Sequence, residues 1–229
     1  MLKETEILKN WEDYCGIIDK ALSSRADLIH KMNDSLGIER MAAAPACGQI
    51  DFHNCFDGGY IDHVLRVIKF SLKFYQHYTD LGLDTSNVTK EEVVFSAMHH
   101  DLGKIGYPGE GNDHYIKNTS EWHVKNQGKV YTKNPLIPNM PIQDRSLYLL
   151  QQAGIICTNN EWIAIKTHDS LYDEANNSYM KTWSATDKYR SNLPLILQTA
   201  DYAAYQFEFE RWMKSKTAPI KYEQYKTNF

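Results

Sequence analysis

The chain has 229 residues, 42% of them apolar and 24% charged, a globular composition too rich in apolar and aromatic side chains for a disordered polymer. Lys plus Arg is 25 and Asp plus Glu 29, a formal charge of −4. That argues against a protein living mainly on nucleic-acid backbone contacts, but it leaves room for a small anionic substrate met by a metal or a local basic cluster.

One domain over residues 1–229 is expected, with 1–50 as an N-terminal helical extension. Residues 2–14 and 17–36 carry apolar side chains at helical spacing, Ile17, Ile18, Ala21 and Leu22 leading to Leu28, Ile29 and Met32. Residues 42–59, with Pro45, Gly48, Asn54, Gly58 and Gly59, form a long loop or set of turns. A helix over 60–80 follows, with Ile61, Val64, Leu65, Ile68 and Leu72 as its stripe. Thr89 and Glu92 make a capping box that opens a nearly fully apolar helix over 90–101. Asn118 or Thr119 caps a helix carrying Glu121, Trp122 and His123, and Pro135, Pro138 and Pro141 make 132–143 irregular. Asp144 opens a helix through Leu150, and Thr158 with Glu161 caps one running to His168. The last helix covers 193–213, and 215–229 reads as a peripheral tail. No series of alternating strands is visible, so the expected class is all-α.

The cysteines, at 15, 47, 55 and 157, form no CxxC pair. With no signal-like segment after Met1 they read as free thiols in a reducing, cytoplasmic setting. Cys47 and Cys55 flank His53, but that spacing is not a standard zinc pattern. No apolar run approaches the ~18 residues of a membrane span.

The sharpest local signal is His99-His100-Asp101-Leu102-Gly103-Lys104, at the end of an apolar helix. Buried polar groups there need partners. They are either a capped, hydrogen-bonded helix end or ligands of one divalent ion. His63, His123, His168-Asp169 and Asp201 stand on separate expected helices, and helical bundles assemble metal sites from such contributions.

The order His63, His100-Asp101, Asp201, with Gly58-Gly59 ahead of His63 and Lys104 closing the central stretch, resembles the HD-domain metal-dependent phosphohydrolases over roughly residues 53–205. The resemblance implies an HD-type helical bundle around one or two divalent metals and hydrolysis of phosphomonoesters, nucleoside triphosphates or phosphodiesters. Histidines between the central pair and the last Asp resemble the two-metal branches. There Asp101 would bridge, His63, His100 and Asp201 would hold one ion, and His123 and His168 the other. The chain departs from those branches at His168-Asp169, where a His-His pair is common, and lacks the Gly-Tyr-Pro element of the cyclic-di-GMP enzymes. The implied chemistry is attack on phosphorus by metal-activated water, with Asp101 positioning the metals and Lys104 gripping a nonbridging oxygen.

Asp62 or Asp169 is a candidate to orient water or protonate the leaving oxygen. His53 and His114 are candidates to touch substrate, the first in the long loop, the second in a loop that would cover the pocket. His99 faces about 100° from His100 on the helix and reads as a supporting or core residue. Lys125, Lys129, Lys133 and Arg145 meet phosphate or form a charged helix face. Tyr202, Tyr205, Phe207, Phe209 and Trp212 pack, or stack on bases.

Three functions compete: a two-metal diesterase acting on a nucleotide or short nucleic acid, a one-metal nucleotidase or deoxynucleoside triphosphatase, and a non-enzymatic nucleotide sensor. Mixed imidazole and carboxylate donors suit Mn, Fe, Co, Ni or Zn. No membrane partner is expected, and a homo-oligomer is compatible with the aromatic content.

Overall fold

The computed structural model describes residues 2–217 except 182, 185 and 187–189, so 218–229, most of the expected tail, lie outside the described residues. The described chain is all-α with one small ribbon. Helix α1 (Glu4–Ala21) runs straight through Cys15 and Gly16, and the break expected there comes instead at residues 22–25, before α2 (Ala26–Leu36). A Cβ added at Gly16 would meet nothing within 4 Å, so no close approach requires a glycine there. At the true break Leu22 is fully buried while Ser24 and Arg25 turn to Glu91 and Glu161. Gly37, at φ +93°, ends α2, and a short α3 (Ile38–Ala43), too brief for a periodic signal, precedes the long loop.

Helix α4 (Gly59–Asp80) starts where Gly59 lies so close to Asn54 that an added Cβ would sit 2.0 Å from its carbonyl oxygen. Helix α5 (Lys90–His99) opens on the expected capping box: Thr89 Oγ1 accepts from the Glu92 amide at 3.1 Å and Glu92 accepts from the Thr89 amide at 2.9 Å. A 3₁₀ turn (Leu102–Ile105) follows. Strands β1 (Tyr115–Lys117) and β2 (Tyr131–Lys133) pair antiparallel around α6 (Glu121–Gln127). Three-residue strands carry too little alternation to be read from the sequence. Ser120, not Asn118 or Thr119, caps α6. Helix α7 (Ile142–Gln152) begins one turn's fraction earlier than Asp144, directly after Pro141. Helix α8 (Asn159–Thr167) carries the second expected capping box, Thr158 with Glu161. Two 3₁₀ turns and α9 (Asn177–Met180) lead to α10 (Leu193–Thr217).

Helices α4, α5, α8 and α10 pack on one another and form the centre. Their facing side chains, Val64, Val67, Phe95, Ala97, Ala164, Ile165, Leu197, Ala200 and Ala204, are buried. Each large one contributes about 1.5–3 kcal/mol on leaving water. The small residues of α8 and α10 permit close approach of the helices that deliver the polar side chains. No helix among the described residues is long and apolar enough to cross a membrane.

The starts of α5 and α8 are locked together by polar contacts. Thr158 Oγ1 donates to Glu92 at 2.7 Å, and Arg25 makes two bonds, 2.9 and 2.8 Å, to the fully buried Glu161. Their other ends deliver His100 and His168.

Candidate metal centre

His63 comes from the second turn of α4, His100 and Asp101 from the end of α5, His168 from the end of α8 and Asp201 from the middle of α10. His63, His100, Asp101 and His168 are each at most 4% exposed. Three overlapping groups have their ligand atoms within 4.8 Å of one another: His63, His100 and Asp201; His100, Asp101 and His168; and His53, His63 and Glu208.

Asp101 stands between two sides. Its Oδ2 faces His63 Nε2 at 3.6 Å, His100 Nε2 at 3.4 Å and Lys104 Nζ at 2.6 Å, while Oδ1 faces His168 Nε2 at 3.7 Å. Asp201 Oδ1 lies 3.1 Å from His63 Nε2 and 3.6 Å from His100 Nε2.

The backs of the imidazoles are equally defined. His100 Nδ1–H donates to the Ala97 carbonyl at 2.9 Å and His168 Nδ1–H to the Ile165 carbonyl at 2.8 Å. His63 Nδ1–H points at both oxygens of Glu208, 3.2 Å each. Each ring thus presents Nε2 to the carboxylates, with His100 Nε2 buried and without a well-aligned hydrogen-bond partner among the described residues. Hydrogen bonds of this kind behind the ring fix the tautomer of metal-binding histidines. The donor set therefore fits a divalent ion.

The electrostatics agree. Burial opposes charge on His63, yet Glu208 and Asp201 outweigh it and lift its pKa to about 9. On His100 burial is likewise overcome, chiefly by Asp101, and the pKa rises to about 10. Against burial, Lys104 and His100 hold the Asp101 carboxyl well below its usual range. A cation competes for the same negative potential that draws these protons.

Glu208 is the member of the cluster that the aromatic run concealed. It lies seven residues after Asp201, two turns along the same face of α10, is 2% exposed, and is also ion-paired with Arg66. A buried carboxylate at that spacing from a ligand was the available signal.

The other expected residues divide. His53 reaches the centre, its ring 5.0 Å from that of His63 and edge-on to Tyr205 at 5.5 Å. Burial, then Lys104, pushes its pKa down to about 3, so it is neutral. Asp169 is half-exposed with Oδ1 3.6 Å from His168 Nε2. His114 does not lie over the pocket but is itself buried, lining a cleft beside Lys104. His123 is not brought to the centre: it is exposed on α6 with Nδ1 2.7 Å from Ser120 Oγ. Helix α6 has no buried residue, so nothing draws its His-bearing face inward.

Asp62 faces elsewhere as well, joining Asn54 at 2.8 Å, Arg66 at 3.1 Å and Arg211 at 3.1 Å. His99 is buried under Phe95, its Nδ1–H donating to the Phe95 carbonyl. Arg145 is not on a charged face but 1% exposed. Lys125 pairs with Glu121 on the surface. Cys47 and Cys55 are buried and belong to none of the three clusters, Cys47 donating to the His53 carbonyl at 2.8 Å. Tyr205, Phe209 and Trp212 pack in series along α10, while Tyr202 is exposed.

Helices α4, α5, α8 and α10 thus build a buried, interlocking His/Asp/Glu cluster with the features of a metal-dependent hydrolytic centre. Set against protein-family models, curated proteins and solved structures, the chain matches none.

Proposed function

We propose that the protein is a metal-dependent phosphohydrolase that cleaves a phosphodiester in a nucleotide or short nucleic acid. The observation that carries this is Asp101, whose two oxygens face separate sets of imidazole Nε2 atoms. The order of these residues, resembling the HD-domain phosphohydrolases, supports the same reading. His63, His100, Asp101 and Asp201 would hold one divalent ion, and Asp101 with His168 a second, Mn, Fe, Co, Ni and Zn all suiting the donors. Such ions supply Lewis acidity to a phosphoryl oxygen and lower the pKa of water.

The chain's own residues do the rest. Glu208 and the Ala97 and Ile165 carbonyls hold the three rings in register. Lys104 places a positive charge beside Asp101, where a nonbridging oxygen would be neutralised. Asp169, half-exposed beside His168, would take or return a proton at the leaving oxygen.

His123 on the surface favours a second reading, a one-metal nucleotidase or deoxynucleoside triphosphatase, because the His168 side is then short of one imidazole. A panel of cyclic dinucleotides, short RNA and DNA, nucleoside monophosphates and deoxynucleoside triphosphates, tested on manganese-loaded protein, separates the two. Diester cleavage abolished by Asp101→Ala supports the first. Turnover confined to monophosphates or triphosphates supports the second. Stoichiometric metal without turnover of any ester leaves a sensor.

A further inference from the structure

Arg145 is among the most buried side chains, yet among the described residues no carboxylate meets it. Its guanidinium donates to the Gly103 carbonyl at 3.0 Å, to the Pro138 and Met140 carbonyls at 3.2 and 3.3 Å, and to His114 Nδ1 at 2.8 Å. Arginine has only donors and keeps its proton throughout the accessible pH range. His114 Nδ1 must therefore be the acceptor, and the ring proton must sit on Nε2. That Nε2–H is buried with no hydrogen-bond partner among the described residues. An orphaned buried donor calls for an explanation.

His114 lines a cleft of about 190 Å³ together with Lys104, Tyr115 and Lys117. Lys104 Nζ is 2.6 Å from Asp101, so the cleft adjoins the metal centre. Two carboxylates also line it: Asp57 accepts from Tyr131 Oη at 2.5 Å and Asp113 faces Arg40 at 3.8 Å, while Lys104 and Lys117 bring positive charge to the same cleft.

We infer that this cleft is an anion subsite for a second phosphoryl group of the substrate, next to the one that reacts, and that Arg145 is a positioning residue fixing His114 as a neutral Nε2–H donor to it. This rests on the phosphohydrolase reading for the word substrate, but the anion site stands on its own geometry. Burial, then Arg145, pushes the His114 pKa down to about 3, which keeps the ring neutral at ordinary pH. The donor therefore keeps its tautomer while an anion comes and goes.

The test uses nitrogen-15 NMR of the full-length, manganese-free wild-type chain, with inorganic phosphate as the probe. His114 should show the Nε2–H tautomer, and added phosphate should shift that proton downfield. An Nδ1–H tautomer, or an Nε2–H indifferent to phosphate, overturns the inference. Calorimetry supplies the second reading. His114→Phe should weaken phosphate binding by about tenfold or more, and His114→Gln, whose amide nitrogen reaches the Nε2 position, should recover most of it. Equal affinity for wild type and His114→Phe also overturns it. Because phosphate is read at His114 whether or not an ester is hydrolysed, a shift in a protein inactive on every ester keeps the subsite and removes the function proposed above. Turnover with a silent His114 removes the subsite alone.

Discussion

His100 and His168 occupy equivalent positions at the ends of two neighbouring helices, with ring centroids 4.9 Å apart. Helices α5 and α8 both open on a Thr-x-x-Glu capping box, the boxes joined through Thr158 and Glu92. Both close on a histidine whose Nδ1–H donates to the carbonyl three residues back, followed by an aspartate. The helices therefore run side by side in the same direction, and the polar lock at their starts sets the register at which the two rings meet. Asp101 uses that register, because it is the carboxylate that reaches both imidazoles.

Removing Asp101 should therefore empty both sides at once. Asp101→Ala is expected to lower bound metal by at least tenfold by elemental analysis of dialysed protein, whereas His168→Ala should retain one ion if the His63 side is autonomous. Retention of full metal by Asp101→Ala would show that the carboxylate is only a partner of Lys104.

Glu208 contributes through His63. Replacing a carboxylate behind a metal-binding imidazole typically costs about 10–100-fold in metal affinity, and Glu208→Gln should fall in that range in a chelator competition. The substitution keeps an acceptor for His63 Nδ1–H but removes the charge opposite Arg66. A variant with unchanged metal affinity but lower stability would assign Glu208 to Arg66 alone.

Much of this cluster was legible in the sequence because its parts stand among largely apolar neighbours on helices. His63, His100, Asp101 and Asp201 each interrupt an otherwise apolar stripe, and a stripe at helical spacing faces the core. The two capping boxes were legible for the same local reason. What failed was residues on short elements. Helix α6 has seven residues and no buried side chain, so the order of histidines along the chain placed His123 where packing does not. His114 and Arg145 meet only because β1 and α7 converge on the turn after Asp101, a long-range event with no local signature.

Glu161 is a stability site distant from the chemistry. It is fully buried, accepts two bonds from Arg25 and also accepts from the Thr158 amide at 2.8 Å. Glu161→Gln leaves the Arg25 cation with only the partly exposed Glu91. Breaking one partner out of a buried pair costs about 3–5 kcal/mol. Because Glu91 remains, the loss in urea unfolding should be nearer about 2–3 kcal/mol. A change below ~0.5 kcal/mol would show that the pair merely balances its own desolvation.

Two glycines should respond oppositely to alanine. Gly16 lies inside α1 with open space where a Cβ would go, so Gly16→Ala should stabilise by about 0.5–1 kcal/mol through helix propensity. At Gly59 the added Cβ would stand 2.0 Å from the Asn54 carbonyl oxygen, and backbone has to move. Gly59→Ala should destabilise by about 1–3 kcal/mol and disturb metal binding, because the loop held by Asn54 carries His53. Thermal melts with and without manganese would separate the two effects.

The acid limb of stability should carry the signature of His114. Its folded pKa is depressed to about 3, against roughly 6.5 in the unfolded chain. Between these values the unfolded state binds a proton that the folded state refuses. Stability from this group is therefore fully present above about pH 6.5 and lost as pH falls toward 3, with a slope of at most about 1.4 kcal/mol per pH unit for one proton. His114→Gln has no proton to take up, so in urea unfolding its limb between about pH 6 and 4 should be shallower by one proton's worth, His53 and His99, also depressed to about 3, still contributing. If wild type and variant lose stability in parallel over that window, His114 is not the group that Arg145 keeps neutral.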